Sequence, residues 1–154
     1  MVAIEQIHPM LVHFPIVLFM AVLALDVTVA LRGGNLAARQ GLAPVALAAL
    51  VVGTLMAIAA AVFGDIALDR AVDLGFPEMP LETHEALGIT TLSLFGALAT
   101  LRLLAGWRGV ALTGGRAWFV ALLSLIGVGL VVATAAYGGY LVYDLGVNVI
   151  PVRP

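Results

Sequence analysis

The sequence contains neither cysteine nor lysine, and it has few charges of either sign. Without cysteine, the chain cannot form disulfides, hold zinc or an iron–sulfur cluster through thiolates, or attach c-type haem covalently. Only 10% of the 154 residues are charged, all seven cations are arginines and the formal net charge is −2, so no basic surface indicates nucleic-acid binding. The sequence also lacks the motifs of a hydrolase triad, a phosphate loop or a metalloprotease, so it does not indicate an enzyme acting on its own.

Apolar residues, in contrast, make up 63% of the chain. A sequence this apolar needs lipid as its solvent. Four apolar stretches, at about 9–31, 40–63, 84–105 and 117–143, exceed the roughly 20 helical residues that cross a bilayer. No positively charged segment precedes the first stretch, so we expect it to stay as a membrane helix instead of being cleaved as a signal peptide. The sequence therefore predicts an all-α, four-helix transmembrane bundle, a single membrane domain over 1–154, with an outer polar loop at 64–83 and no internal repeat.

The distribution of charge predicts the orientation of the bundle. Arg32 and Arg39 lie in the first connection, whereas Arg102, Arg108 and Arg116 lie at or near the third, and no acid accompanies either group. The positive-inside rule places both connections in the cytoplasm and both termini on the non-cytoplasmic side, here the periplasmic side of a bacterial inner membrane. Eight of the nine acids fall on that opposite side: Glu5, Asp65, Asp69, Asp73, Glu78, Glu82, Glu85 and Asp144.

This topology places all three histidines at the outer face. His8 precedes the first helix, His13 lies about one turn inside it, and His84 opens the third. Burying an ionisable group inside a membrane bundle costs free energy, so such a residue is a candidate for a functional site. His8 and His13 are about 140° apart on a regular helix, so they share a face only if Pro15 distorts the helix start.

One interpretation is a single b-type haem. His13 and His84 come from different helices and would be the axial ligands, with His8 as substitute ligand or hydrogen-bond partner. Gly138 and Gly139 would admit a porphyrin edge, and Arg70 would neutralise a propionate.

Two other interpretations use the same histidines. Copper held by His and Met ligands would draw on His8, Met10 and His13, with Met79 and His84 in reach. Alternatively, the histidines only bond to backbone carbonyls, to Glu82 or Glu85, or to water.

The remaining polar residues have simpler interpretations. We expect Asp26 to pair with an arginine or to reach the inner interface, and Asp65 and Asp69 to form a solvated helix end. Tyr140 and Tyr143 fit an interfacial aromatic belt, although their phenol groups would also bind a quinone headgroup.

Two motifs and a lone histidine carry a resemblance to a known family. These are His8-Pro9-Met10-Leu11-Val12-His13-Phe14-Pro15, His84, and the closing segment Gly138-Gly139-Tyr140-Leu141-Val142-Tyr143-Asp144-Leu145-Gly146-Val147. Nearly the whole chain resembles an uncharacterised family of bacterial four-helix membrane proteins, a domain of unknown function. The resemblance implies a redox setting, because some relatives are joined to Rieske-type or cytochrome c-type modules. It also implies that His8, His13 and His84 correspond to the family's histidines. Relatives have a basic residue or histidine where this chain has Asp144-Leu145, so a second haem is not expected here.

The leading hypothesis is a membrane cytochrome b-like electron-transfer subunit with one haem near the periplasmic face. It would carry electrons between a quinol, or another membrane donor, and a periplasmic or membrane redox protein. The alternatives are a non-catalytic anchor or assembly subunit of a respiratory-type complex, or a periplasm-facing copper-binding membrane protein. Besides the lipid bilayer, the expected partners are a quinone, a redox protein and a second copy of the chain.

Overall fold

A computed structural model describes residues 4–149, apart from the side chain of Glu5, and shows an all-helical chain over this range. After a 3₁₀ turn at Ile4–Gln6, the elements are α1 (Ile7–Leu11), α2 (His13–Leu31), α3 (Leu42–Asp73), α4 (Glu78–Trp107) and α5 (Gly115–Tyr143). Four spans, the first formed by α1 and α2 together, are long and apolar enough to cross a membrane. The described residues thus form the expected bundle of four membrane-length helices.

The polar segment 64–83 differs from the expected loop, because most of it is helical. α3 continues to Asp73 and α4 begins at Glu78. With 32 residues, α3 is about 48 Å long, well beyond the hydrocarbon thickness of about 30 Å. The extension is held by a second apolar cluster, which the charged residues in between conceal in the sequence: Ala71, Leu81 and Leu141, with Leu68, Val72, Phe76, Leu145 and Val147.

The turn between α3 and α4 has a local cause. Gly75 adopts φ +86°, the left-handed conformation that ends many helices. The Phe76 amide donates to the Ala71 carbonyl at 3.1 Å, which satisfies one of the last carbonyls of α3. The chain therefore reverses within 74–77.

The first span is interrupted near its start. α1 ends at Leu11 and α2 begins at His13, with Val12 between them. Pro15 is buried and has no N–H to donate to the Leu11 carbonyl, so the regular ladder is broken there. This agrees with the distortion expected from Pro15.

α2 and α4 lie diagonally across the bundle, because each of them packs against both α3 and α5. Both run from the end that holds His8 and His84, here the histidine end, to the end with the connections 32–41 and 108–114, here the arginine end. At mid-height, the Phe19 and Phe95 rings stack at 3.7 Å with an interplanar angle of 6°. Gly53 of α3 and Gly127 of α5 flank this stack: a Cβ at Gly53 would lie 2.9 Å from Phe19, and one at Gly127 would lie 2.5 Å from Phe95.

The same sequence offset recurs in four contacts across the centre. From the histidine end to the arginine end they are His8 with His84, Phe19 with Phe95, Asp26 with Arg102, and Leu36 with Leu112. In each, the second residue lies 76 positions after the first. Contacts between neighbouring helices repeat as well, with an offset of 74 residues from α3 to α5. Gly53 lies against Phe19 and Gly64 against His8, as Gly127 lies against Phe95 and Gly138 against His84.

These offsets show that the bundle is built from two similar helical hairpins, α1–α3 and α4–α5, related by an approximate twofold axis along the bundle. The expectation of no internal repeat was wrong. Few residues are identical between the halves, because most positions need only be apolar, and the repeat becomes visible through the contacts. Residues on the axis come in pairs, one from each hairpin.

Candidate functional site

The histidine end of the axis holds a pair of imidazoles. The His8 and His84 ring centroids are 6.1 Å apart and their planes are perpendicular, at 89°. His8 Nδ1 lies 2.7 Å from the Ala60 carbonyl oxygen, and His84 Nδ1 lies 3.1 Å from that of Thr134. Because a carbonyl oxygen only accepts, each Nδ1 carries a proton and donates it, and in the neutral ring Nε2 has the lone pair. Histidines that bind metals show this arrangement, with one nitrogen held by a carbonyl and the other free to coordinate.

Glycines make room for both rings. A Cβ at Gly64 would lie 2.9 Å from His8 Nδ1, and one at Gly138 would lie 3.1 Å from His84 Cε1. Both imidazoles are half-buried and lie directly against a neighbouring helix. Gly138, expected to accommodate a porphyrin edge, instead accommodates the His84 ring.

The other residues expected at this site lie elsewhere. His13 is exposed on α2, and its contacts within residues 4–149 do not include His84. Arg70 is exposed on the extension of α3. It lies six residues after Gly64, which turns it about 120° away from the face that meets His8. The sequence predicted the His84 side of the pair but preferred His13 over His8, because it could not show that α1 folds against α3.

The methionines expected as copper ligands and the tyrosines expected to contact a quinone also lie on the surface. Met10 is 61% exposed and Met79 is 76% exposed. A Cβ at Gly139 would lie 3.9 Å from the Tyr143 ring and meet nothing else within 4 Å. Tyr143 and Tyr140 are both exposed. Over the described range, no group of three or more His, Asp or Glu side chains is placed to hold a metal ion.

A second polar site occupies the axis near the arginine end. Asp26 of α2 and Arg102 of α4 are both 0% exposed, and Arg102 Nη1 donates to Asp26 Oδ1 at 2.7 Å. The Ser124 hydroxyl of α5 donates to Asp26 Oδ2 at 2.8 Å. Arg102 Nη2 donates to the carbonyls of Leu36 and Ala43, at 3.2 and 3.4 Å. One ion pair therefore joins all four long helices and the 32–41 connection.

This site was only half expected. The pairing of Asp26 with an arginine is confirmed, but the partner is Arg102, not the nearby Arg32. Arg102 had been counted among the cations of the third connection, whereas it lies inside α4 and is fully buried. Its position three residues before the end of the predicted span 84–105 was the available signal, since a cation within such a span requires a partner.

Arg102 also retains an unpartnered donor. Its Nε is buried and has no hydrogen-bond acceptor within the part of the chain that the structure describes. Buried ion pairs gain little net stability over apolar packing, but removing one partner is costly, because the other charge stays buried. The pair therefore fixes how the two hairpins meet.

The chain was also compared with known proteins. A family model described as "Predicted membrane protein (DUF2231)" matches residues 5–151. The chain belongs to this family. No curated protein and no solved structure matches it.

The DUF2231 match includes both hairpins and both polar sites on the axis. It confirms the resemblance to an uncharacterised family of membrane proteins. The family's description names a membrane protein and no activity, so the function of this DUF2231 protein is inferred from its own residues.

Proposed function

We propose that this protein is a membrane cytochrome b-like electron-transfer subunit, with one b-type haem between His8 and His84. The observation that carries the proposal is the paired histidines, each with Nδ1 held by a backbone carbonyl and Nε2 free. Two imidazoles that bind one iron from opposite sides, through bonds of about 2 Å, place their ring centroids about 6 Å apart. The separation of 6.1 Å matches this value.

The residues present fit a bis-histidine haem better than a metal ion held by the protein alone. A haem iron takes four ligands from the porphyrin and needs only two from the chain. A zinc site takes three or four protein ligands, and the described residues offer no such group of His, Asp and Glu. Met10 and Met79, the methionines expected for copper, are exposed. Gly64 and Gly138 support the fit, since both imidazoles would be displaced by larger residues there.

The chain's own contribution is to hold two ligands on the axis. The carbonyls of Ala60 and Thr134 fix the tautomer and the ring orientation of His8 and His84, and they raise the basicity of each Nε2. When bound, the haem supplies one-electron redox chemistry. Because the site lies at one end of the bundle, it is suited to exchange electrons with a quinol in the membrane and a redox protein at that surface.

The test is the absorption spectrum of the protein purified in mild detergent, first oxidised and then reduced with dithionite. A Soret band with sharp reduced α and β bands supports the proposal. His8→Ala and His84→Ala should each abolish this low-spin spectrum. His13→Ala is the matched control, and it should keep the spectrum because its ring is exposed.

Other outcomes separate the alternatives. Loss of the spectrum in His13→Ala, with retention in His8→Ala, would restore the pair of His13 and His84 expected from the sequence. A colourless protein with stoichiometric copper would support a copper-binding protein. A colourless protein without metal would support an anchor or assembly subunit, in which the histidines form an edge-on ring contact, for which centroid distances of about 4.5–7 Å are typical.

We further propose that the histidine end faces the periplasm of a bacterial inner membrane. Arg32, Arg39, Arg108 and Arg116 remain at the opposite end without an acid, although the burial of Arg102 removes it from this count. Because the chain has no cysteine, single cysteines report the orientation directly. In intact cells, a membrane-impermeant maleimide should label Asp73→Cys and leave Arg39→Cys unlabelled, and the reverse pattern would refute this orientation.

A further inference from the structure

A groove lies on the outer surface of the bundle at the arginine end, between the end of α4 and the start of α5. It has a volume of about 460 Å³, within the range of ligand sites. Its walls are apolar: Leu101, Leu104, Ala105, Val110, Leu112, Phe119 and Val120. Arg108 and Arg116 also line it. Leu101, Leu104 and Phe119 are exposed on membrane-spanning helices, so this wall faces lipid.

Within residues 4–149, no acidic side chain neutralises the charges of the groove. Arg108 has no ion pair or hydrogen bond with any described residue, and Arg116 makes a single contact at 3.4 Å, with the Ala111 carbonyl. The connections 32–41 and 108–114 contain no acid. The acid nearest to the arginine end, Asp26, is fully buried and paired with Arg102. The groove thus joins an apolar wall to two unneutralised cations.

We propose that this groove is a binding site for one anionic phospholipid. An acyl chain would lie along Leu101, Leu104 and Phe119, and the phosphate would be bound by Arg108 and Arg116. Arginine suits a phosphate because its planar guanidinium forms two parallel hydrogen bonds. Each juxtamembrane arginine adds to the attraction for anionic lipids. A groove lined by two arginines should therefore bind an anionic lipid more tightly than the rest of the lipid-facing surface does.

The twofold relation of the hairpins provides an internal comparison. A second groove, lined by Val29, Arg32, Gly34, Gly41 and Leu42 among others, lies at the equivalent place in the first hairpin. Its volume is about 230 Å³, half that of the first. Arg32 corresponds to Arg108, but Leu42 occupies the place of Arg116. The groove of the first hairpin is therefore lined by one cation instead of two, and the proposed site belongs to the second hairpin alone.

The chain's two tryptophans allow a direct test. Trp107 and Trp118 adjoin Arg108 and Phe119 in the sequence, and both are exposed. Brominated acyl chains quench tryptophan fluorescence on contact. The protein is reconstituted into phosphatidylcholine vesicles containing a small fraction of brominated phosphatidylglycerol, or the same fraction of brominated phosphatidylcholine. We expect half-maximal quenching at a fraction of phosphatidylglycerol roughly tenfold lower than that of phosphatidylcholine.

Matched charge variants decide whether the groove is responsible. Arg108→Gln with Arg116→Gln should remove the preference for phosphatidylglycerol. Arg32→Gln with Arg39→Gln removes the same amount of charge at the same end of the bundle, and this double variant should keep the preference for phosphatidylglycerol. Equal quenching by the two lipids in the unmodified protein would overturn the proposal. An equal loss of preference in both double variants would also overturn it, because it would indicate diffuse surface charge.

Discussion

Replacing Arg102 by methionine tests the role of the buried ion pair most directly. The substitution keeps much of the apolar volume of the side chain and removes the guanidinium. Asp26 then retains only the Ser124 hydroxyl as a donor, in a place where its carboxylate is fully buried. The carbonyls of Leu36 and Ala43 lose the same partner.

The expected loss of stability is large. Breaking a buried pair by removing one partner costs about 3–5 kcal/mol. Globular domains have a total unfolding free energy of about 5–15 kcal/mol, so the single variant should lose at least about a fifth of its stability. Asp26→Leu should cost a similar amount, since Arg102 then stays buried without its counterion.

The double variant, Asp26→Leu with Arg102→Met, should be much less affected than the sum of the two. It buries no charge, and its remaining cost comes from the two carbonyls and the Ser124 hydroxyl, about 1–3 kcal/mol for each of these groups that finds no other partner. The difference between the double variant and the summed singles gives the coupling energy of the pair.

The free energy of unfolding is measured in mixed micelles by titration with a denaturing detergent, followed by circular dichroism. Arg39→Met is the control, because Arg39 is exposed in the 32–41 connection and its loss should change stability by less than about 0.5 kcal/mol. If Arg102→Met costs less than about 1 kcal/mol, or if the two single effects simply add, the pair does not hold the hairpins together.

The glycines beside the axis give two further predictions. Gly127→Ala should destabilise the protein by about 1–3 kcal/mol in the same unfolding assay, because its Cβ would lie 2.5 Å from the Phe95 ring; Gly129→Ala, two residues away with open space at its Cβ, should be neutral or stabilising, and equal effects would refute the steric reason. Gly64→Ala should displace His8 and weaken or shift the low-spin haem spectrum without unfolding the bundle, and an unchanged spectrum would show that His8 is not held against α3 as a ligand.

The membrane helices could be predicted because their signal is local. Runs of Leu, Ala and Val longer than a bilayer is thick admit no other solvent than lipid, whatever their packing. The extension of α3 past Phe63 was missed for a related reason. Asp65 and Asp69 make that stretch look like a loop, and its apolar face becomes meaningful only when Leu81 and Leu141 are seen to cover it.

The pairs on the axis were beyond prediction from one sequence, although every member is visible in it. Residues 76 positions apart meet only after two hairpins have packed, and an apolar sequence constrains the relative rotation of its helices weakly. For His8, the deciding contact is with Ala60, 52 residues away.

The amino-acid sequence by itself determined that the chain crosses the membrane as four helices, with most of the arginines toward one end and the histidines at the other, because hydropathy and charge act through the solvent around each segment. Tertiary structure alone decided which histidine faces His84 and that Arg102 is a buried partner of Asp26. Those outcomes depend on side-chain distances of a few ångströms between separate helices, and these distances exist only in the packed bundle.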